Sequence, residues 1–268
     1  MRASGPDIFG ILNITADSFS DGGKFLAPEN ALAQAQKLVG EGAQVLDIGP
    51  ASSHPDASDV SPADEMARLD SVWSQLQRVG AELSVDSFRS ETQRWAMAHH
   101  ADWLNDIHGF QDVRLHDELA DAKCRLVVMH AIQSKGIATR DAAPEGDIWD
   151  HILRFFETRL RVLDAASIAR ERLVLDPGMG FFLGPDAQTS LRVLGGLARL
   201  KREFDLPVLI CVSRKSFLRA VADCSVEASG PISLAAELLA CEQGVDYIRT
   251  HDVLPLAQAL KLRAAIEK

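Results

Sequence analysis

Nothing in this chain of 268 residues approaches the roughly 18 to 20 continuous apolar residues that a membrane helix needs. Its first residues also lack the basic segment and apolar core of a secretory leader, so a cytoplasmic setting is expected. Cysteine is scarce and scattered. Cys124, Cys211, Cys224 and Cys241 form no C-x-x-C pair and read as reduced, mostly buried thiols. Positive charge is in deficit, with 28 Lys and Arg against 38 Asp and Glu, a net charge of −10. That balance argues against nonspecific partnership with nucleic acid or anionic membrane. An acidic protein that handles an anionic substrate must build a local basic site. Internal repeats, low-complexity tracts and linkers are absent as well, so the chain reads as one domain, residues 1–268, of a size that suits a single α/β barrel.

What the chain does have is a repeated pattern: short apolar runs, each ending on a residue suited to chemistry. The runs end on Asn13, Asp47, Asp86, Asn105, His130 and Asp176, then on the Ser213-Arg214-Lys215-Ser216 and Arg249-Thr250-His251 segments. They begin near residues 8, 45, 83, 103, 126, 173, 208 and 246, and most intervals hold one helix and two connections. Continuous rather than alternating apolarity marks strands buried on both faces. Eight such runs predict a TIM (β/α)8 barrel whose strand ends converge on one site.

Several intervals carry helix signals. Pro28 suits a first turn, and that helix should end near Gly40 and Gly42. Ser61-Pro62 offers an N-cap and a first-turn proline, and Ser90 with Gln93 reads as a capping box. Ile148, Ile152, Phe155, Phe156, Leu160 and Leu163 mark the core face of a long helix. Ser213-Arg214 is expected to start a helix whose free amides favour anions. Connections 15–27, 50–60 and 131–146 are longer than a barrel needs, and long loops on its active face are often lids.

The strand-end residues fall into two chemical groups. Lys215 is a point charge, Arg249 a planar fork of donors, and His251 donates or accepts; with the Ser216 hydroxyl they make an anion site, commonly placed after strands seven and eight in this architecture. Asp47, Asp86 and Asp176 beside Asn105 suit a neutral heterocycle rich in N–H donors, because a carboxylate accepts paired bonds from an amide and amino edge. The same oxygen donors also suit Mg2+ better than zinc. His130 has no evident role beyond structure.

The segment Gly10-Ile11-Leu12-Asn13-Ile14-Thr15 with Asp17-Ser18-Phe19-Ser20-Asp21-Gly22-Gly23 resembles the first signature of dihydropteroate synthases. Leu46-Asp47-Ile48-Gly49, Ser84-Val85-Asp86-Ser87, Leu104-Asn105-Asp106-Ile107, Leu175-Asp176-Pro177-Gly178, Ser213-Arg214-Lys215-Ser216 and Arg249-Thr250-His251-Asp252 match the remaining blocks in order, across nearly the whole chain. The resemblance implies that (7,8-dihydropterin-6-yl)methyl diphosphate condenses with 4-aminobenzoate to give 7,8-dihydropteroate and diphosphate. By the same carry-over, Asn13 would ligate Mg2+ and hold the diphosphate with His54, Arg249 and His251. Asp86, Asn105, Met129, Asp176 and Lys215 would line the pterin pocket, with Asp47 beside it. Phe19, Ser53, Phe181, Lys215 and Ser216 would bind 4-aminobenzoate. Asp21, Asp86, Lys215, Arg249 and His251 would be the catalytic group, with Phe19 and Asp21 on a loop that closes over the site. A homodimer is implied too.

Two loops depart from the family pattern. Gly49-Pro50-Ala51-Ser52-Ser53-His54-Pro55 stands where housekeeping members have Gly-Gly-Glu-Ser-Thr-Arg-Pro, so His54 replaces an anion-binding arginine and Ser53 a threonine. Phe182-Leu183 follows the glycine turn where a small residue and a lysine are usual. These features are similar to the plasmid-borne, sulfonamide-insensitive Sul type, so insensitivity and antibiotic resistance are expected. Two other readings compete: a methyltetrahydrofolate-type methyltransferase on the same barrel, which handles no diphosphate, and an inactive pterin-binding paralogue.

Overall fold

The computed structural model describes residues 5–15 and 28–266. Its strands are β1 (Asp7–Asn13), β2 (Val45–Gly49), β3 (Glu82–Asp86), β4 (Trp103–Asp106), β5 (Arg125–Met129), β6 (Leu173–Asp176), β7 (Leu209–Ile210) and β8 (Tyr247–Thr250). They pair in parallel in the order β6-β5-β4-β3-β2-β1-β8-β7. A parallel bridge between Leu175 and Val208 joins β6 to the approach of β7, and the Leu175 N–H donates to the Pro207 carbonyl at 2.9 Å. The ring is thereby closed as the expected (β/α)8 barrel.

Around it lie α1 (Pro28–Glu41), α2 (Pro62–Leu76), α3 (Ser90–Ala98), α4 (His116–Asp121), α5 (Ile148–Ala165), α6 (Ala187–Leu194), α7 (Ala198–Phe204), α8 (Ser216–Ala222), α9 (Gly230–Glu242) and α10 (Val253–Ile266). No helix among the described residues is long and apolar enough to cross a membrane. The strand signals are matched by burial on both faces. Ile8, Leu46, Leu104, Val128, Leu175, Ile210 and Ile248 point outward into the core shared with the helices. Phe9, Val45, Trp103, Val127, Val174, Leu209 and Tyr247 point inward as a separate cluster. Within it Phe9, Trp103 and Tyr247 meet edge to face, with ring centres 5.0, 5.5 and 5.2 Å apart, and plug the lower barrel.

That plug decides where the chemistry sits. Side chains on a strand return to the same face every second residue. Two residues beyond the plug, the inward positions are Ile11, Asp47, Asn105, Met129, Asp176, Cys211 and Arg249. Two further on come Asn13, Ser213 and His251. The strand-end residues therefore occupy two tiers above a dry apolar floor.

Local signals met mixed outcomes. Ser61 caps α2, accepting the Asp64 N–H at 3.1 Å, with Pro62 in the first turn. The Ser90/Gln93 capping box does not form. Ser90 Oγ donates to Asp112, while Gln93 Nε2 donates to the Ser87 carbonyl at 2.7 Å and to Asp106 Oδ2 at 3.0 Å, so tertiary partners outcompete the local cap. The helix expected at Ser213-Arg214 begins later, at Ser216. Arg214 adopts a left-handed φ of 59° that no helical turn accommodates.

Candidate active site

A cavity of about 260 Å³ opens at the C-terminal mouth of the barrel, just under the usual range of about 300 to 1,000 Å³ for ligand pockets. Asn13, Ser53, His54, Asp86, Phe181, Lys215, Ser216, Arg249 and His251 all contribute to its lining, so nine of the residues singled out from the sequence share one space. Among the described residues, Arg214, Lys215, Arg219 and Arg249 line it against the single carboxylate of Asp86. The acidic chain has built the local basic site that an anionic ligand requires. Phe19 and Asp21 lie outside the described residues.

Arg249 organises the centre. Its Nε donates to Asp47 Oδ2, its Nη2 donates to Asp86 Oδ2 at 2.7 Å, and its Nη1 reaches Cys211 Sγ at 3.6 Å. A planar fork on one buried and one half-buried carboxylate is a geometry that lysine cannot copy. Burial pushes the Asp86 carboxyl up to about 7, opposed by the Arg249 guanidinium and assisted by the Asp47 charge. Asp47 departs from its expected place beside a ligand: it is fully buried, accepts from Ser84 Oγ as well as Arg249, and does not line the cavity. It shares the lower tier with Arg249 and holds the arginine in place from within the barrel.

His251 stands on the upper tier. Its backbone N–H donates to Ser213 Oγ at 3.2 Å, and its Nδ1 lies 3.1 Å from the same hydroxyl. Burial and then the charges of Arg214, Arg249 and Lys215 drive the imidazole well below its ordinary value, so it is neutral at pH 7. Ser213 is 2% exposed and was not singled out on its own; its place in the upper tier is the signal for it.

Asn105, Met129 and Asp176, expected to line a pocket, lie on the lower tier and, like Asp47, are not among the residues that line the cavity; each is 6% exposed or less. Asn105 Nδ2 reaches Asp47 Oδ2 at 3.5 Å, but its buried Oδ1 has no hydrogen-bond partner among the described residues. A buried acceptor of this kind can pair with a donor-bearing ligand. Asp176 accepts the Gly178 N–H at 2.8 Å, and burial raises its carboxyl to about 6. Gly178 has φ 72°, and a Cβ there would stand 2.3 Å from the His130 carbonyl oxygen, so only glycine fits this turn. His130 itself lies 3.0 Å from the Pro177 carbonyl through Nδ1, and burial lowers it to about 4, as befits a structural histidine.

The remaining wall is aromatic. The Lys215 stem passes Gly180, where a Cβ would stand 3.3 Å from its Cδ, and its Nζ lies 5.1 Å from the Phe182 ring centre. His54 meets Phe181 edge to face at 5.7 Å, and its Nδ1 accepts the Asp56 N–H at 3.2 Å. Burial lowers the His54 imidazole, so it offers the cavity no fixed cation in place of the arginine that the resemblance leads one to expect.

Two buried carboxylates behind the wall escaped the sequence reading. Asp106 accepts from the His108 and Phe110 N–H groups at 2.7 and 3.0 Å and shapes the turn after β4. Glu65 accepts from Ser87 Oγ and Thr92 Oγ1 at 2.6 and 2.7 Å, and burial raises it. Asp106 was visible as the second polar residue of its strand end, whereas Glu65 lies on a helix with nothing to mark it.

Comparison with known proteins agrees with this geometry. The pterin binding enzyme family matches residues 9–251. Dihydropteroate synthase type-2 of Escherichia coli is 52% identical over 261 residues, covering 97% of this chain and 96% of that protein. Among solved structures, dihydropteroate synthase of Xanthomonas albilineans with 4-aminobenzoic acid superposes with a TM-score of 0.89 at 33% identity, covering 99% of this chain and 94% of the other. That of Yersinia pestis in a sulfonamide drug complex superposes with a TM-score of 0.91 at 31% identity, covering 100% and 96%. The barrel, its two-tier mouth and these relatives converge: the chain belongs to the pterin-binding enzymes and, within them, to the dihydropteroate synthases.

Proposed function

We propose that the lower tier reads a dihydropterin, that the upper tier holds the diphosphate on its methylene carbon, and that 4-aminobenzoate enters along the Phe181 wall. The observation that carries this reading is the order of the site: Asp86 pairs in register with Asn105 on the lower tier, Asn13 and His251 stand on the tier above, and Arg249 joins Asp86 in the cavity wall between them. The reacting C–O bond breaks with its electron pair leaving on the diphosphate, and the arylamine nitrogen then bonds to the carbon and sheds a proton. The ring delocalises the intermediate cation, and an aromatic amine is neutral at pH 7, so the amine needs little activation. The protein's work is to stabilise the departing anion with Arg249 and a neutral, donating His251, and to align both partners. Asp21 is placed by the resemblance to steady the transient cation.

Mg2+ fits as an ion that arrives with the substrate. Among the described residues no cluster of three His, Cys, Asp or Glu could hold a metal, whereas Asn13 presents one neutral oxygen donor type at the mouth. Mg2+ is commonly held through one or two protein oxygens plus phosphates and water. When bound it would neutralise charge on the leaving diphosphate.

The altered 49–55 and 180–183 segments border the aminobenzoate wall, which supports sulfonamide insensitivity and a role in antibiotic resistance. Val221, Leu239, Leu254, Leu262 and Ile266 are exposed by 43 to 77% on α8, α9 and α10, which supports a homodimer through that side. Diphosphate release tests the reaction. It should require both substrates, match dihydropteroate one for one, and weaken without Mg2+. Release with no product, or product without release, would contradict the assignment and favour the paralogue or methyltransferase readings.

A further inference from the structure

The chain's departures from its family lie in the loops after β2 and β6. The structure adds a third loop, residues 130–147 after β5, that touches both. Arg140 sets both terminal nitrogens on the Asp56 carboxylate, with Nη1 2.7 Å from Oδ1. Its Cζ also lies 5.7 Å from the Phe181 ring centre, within the reach of a cation–π contact. His54 meets that ring edge-on from the β2 loop. One wall ring therefore carries contacts from two loops besides its own.

The backbone repeats the connection. The Ala138 N–H donates to the Ser53 carbonyl at 3.1 Å, and the Ile132 N–H donates to the Phe182 carbonyl at 3.0 Å. Gln133 Nε2 donates to the Phe181 carbonyl at 3.1 Å. Gly184, with φ 102°, lies so near residue 143 that an added Cβ would stand 2.8 Å from the Ala143 nitrogen. Ser53, His54 and Phe181 thus owe their spacing to this loop as well as to the barrel.

We propose that Arg140 is a specificity-determining residue: clamped on Asp56 and laid against Phe181, it fixes the wall that admits a flat aryl carboxylate and excludes arylamines with a bulkier acidic group. The inference rests on the aminobenzoate reading above. A carboxylate is planar and unsubstituted, while a sulfonamide sulfur is tetrahedral and carries a substituent on nitrogen. A wall held rigid rejects the second by shape, and one free to shift by an ångström does not. Arg140 and Asp56 are 55% and 46% exposed in their side chains. The pair therefore adds only about 0 to 1 kcal/mol of stability, so its geometry orients more than it stabilises.

The test compares the inhibition constant of sulfamethoxazole with the Michaelis constant of 4-aminobenzoate in wild type, Arg140→Ala, Asp56→Ala and the double variant, with melting temperature as a fold control. Each single variant should lower the ratio up to about fivefold, equal to about 1 kcal/mol of lost discrimination, while turnover of 4-aminobenzoate holds. The double variant should fall no further, because both singles release the same clamp. A ratio unchanged in both singles, or losses that multiply in the double, would overturn the clamp while leaving the insensitivity reading intact. A wild-type ratio at or below one would overturn both.

Discussion

Arg249 is where charge, geometry and burial meet in a single side chain. Its guanidinium is 16% exposed and spans two carboxylates, Asp47 at 0% and Asp86 at 18%. Removing one partner of a buried ionic group costs about 3 to 5 kcal/mol, since the other charge is left uncompensated. Arg249→Lys keeps the charge but cannot serve Asp47 and Asp86 at once while also facing a diphosphate. It should lower kcat/KM by about a hundredfold or more, through at least 2.7 kcal/mol of lost transition-state stabilisation, together with a clear drop in melting temperature. Steady-state kinetics and thermal melts check it; near wild-type activity in the lysine variant would show that point charge alone suffices. Glu237 offers a second residue-scale test. It is 2% exposed, and burial, with the Asp252 charge, raises its carboxyl to about 8 from an ordinary 4.5. A raised carboxyl binds its proton more tightly in the folded state, so its contribution is fully present below pH 4.5 and is lost as pH rises through about 8. Glu237→Gln, which cannot ionise, should melt higher than wild type at pH 8.5, and the gap should close towards pH 5. A gap of constant size across that range would contradict the assignment.

At the scale of elements, the strand ends were legible because a parallel barrel imposes two simple rules on sequence: apolar runs buried on both faces, and a polar residue where each run reaches the mouth. The tiers were not legible. Asp47 and Asn13 both end apolar runs, yet one is buried on the lower tier beside Arg249 and the other stands on the cavity wall a tier above, a difference set by register across neighbouring strands. Ser90 and Gln93 misled for a related reason, since a capping motif is a local preference and Asp106 and Asp112 offered stronger distant partners. The Arg140 contacts were invisible because they join loops 84 residues apart. By contrast the Gly178 turn was readable as a sharp βα connection, and the structure adds its cause in the His130 carbonyl. Gly178→Ala should destabilise the fold by about 2 kcal/mol or more, combining positive-φ strain with a backbone clash. It should also loosen Asp176, which loses the geometry of its Gly178 hydrogen bond. Denaturant unfolding would show it, and an alanine variant as stable as wild type would refute the tight turn.

For the whole molecule, the acidic surface and basic mouth divide labour: net charge keeps the protein from binding polyanions indiscriminately, while the closed barrel gathers cations from its last two strands. The exposed apolar residues on α8 to α10 belong to this scale too. On the homodimer proposed above, wild type should run as a dimer by light scattering with chromatography and Leu262→Glu, at a position 65% exposed, as a monomer; a monomeric wild type would refute the proposal, and a dimeric variant would remove this face from it. The most direct test of the central claim is dihydropteroate synthesis from the pterin diphosphate and 4-aminobenzoate, titrated with sulfamethoxazole. The account predicts Mg2+-supported product formation with an inhibition constant about a hundredfold above the Michaelis constant of 4-aminobenzoate, a discrimination within reach of pocket shape. Absence of product, or inhibition as tight as substrate binding, would contradict it.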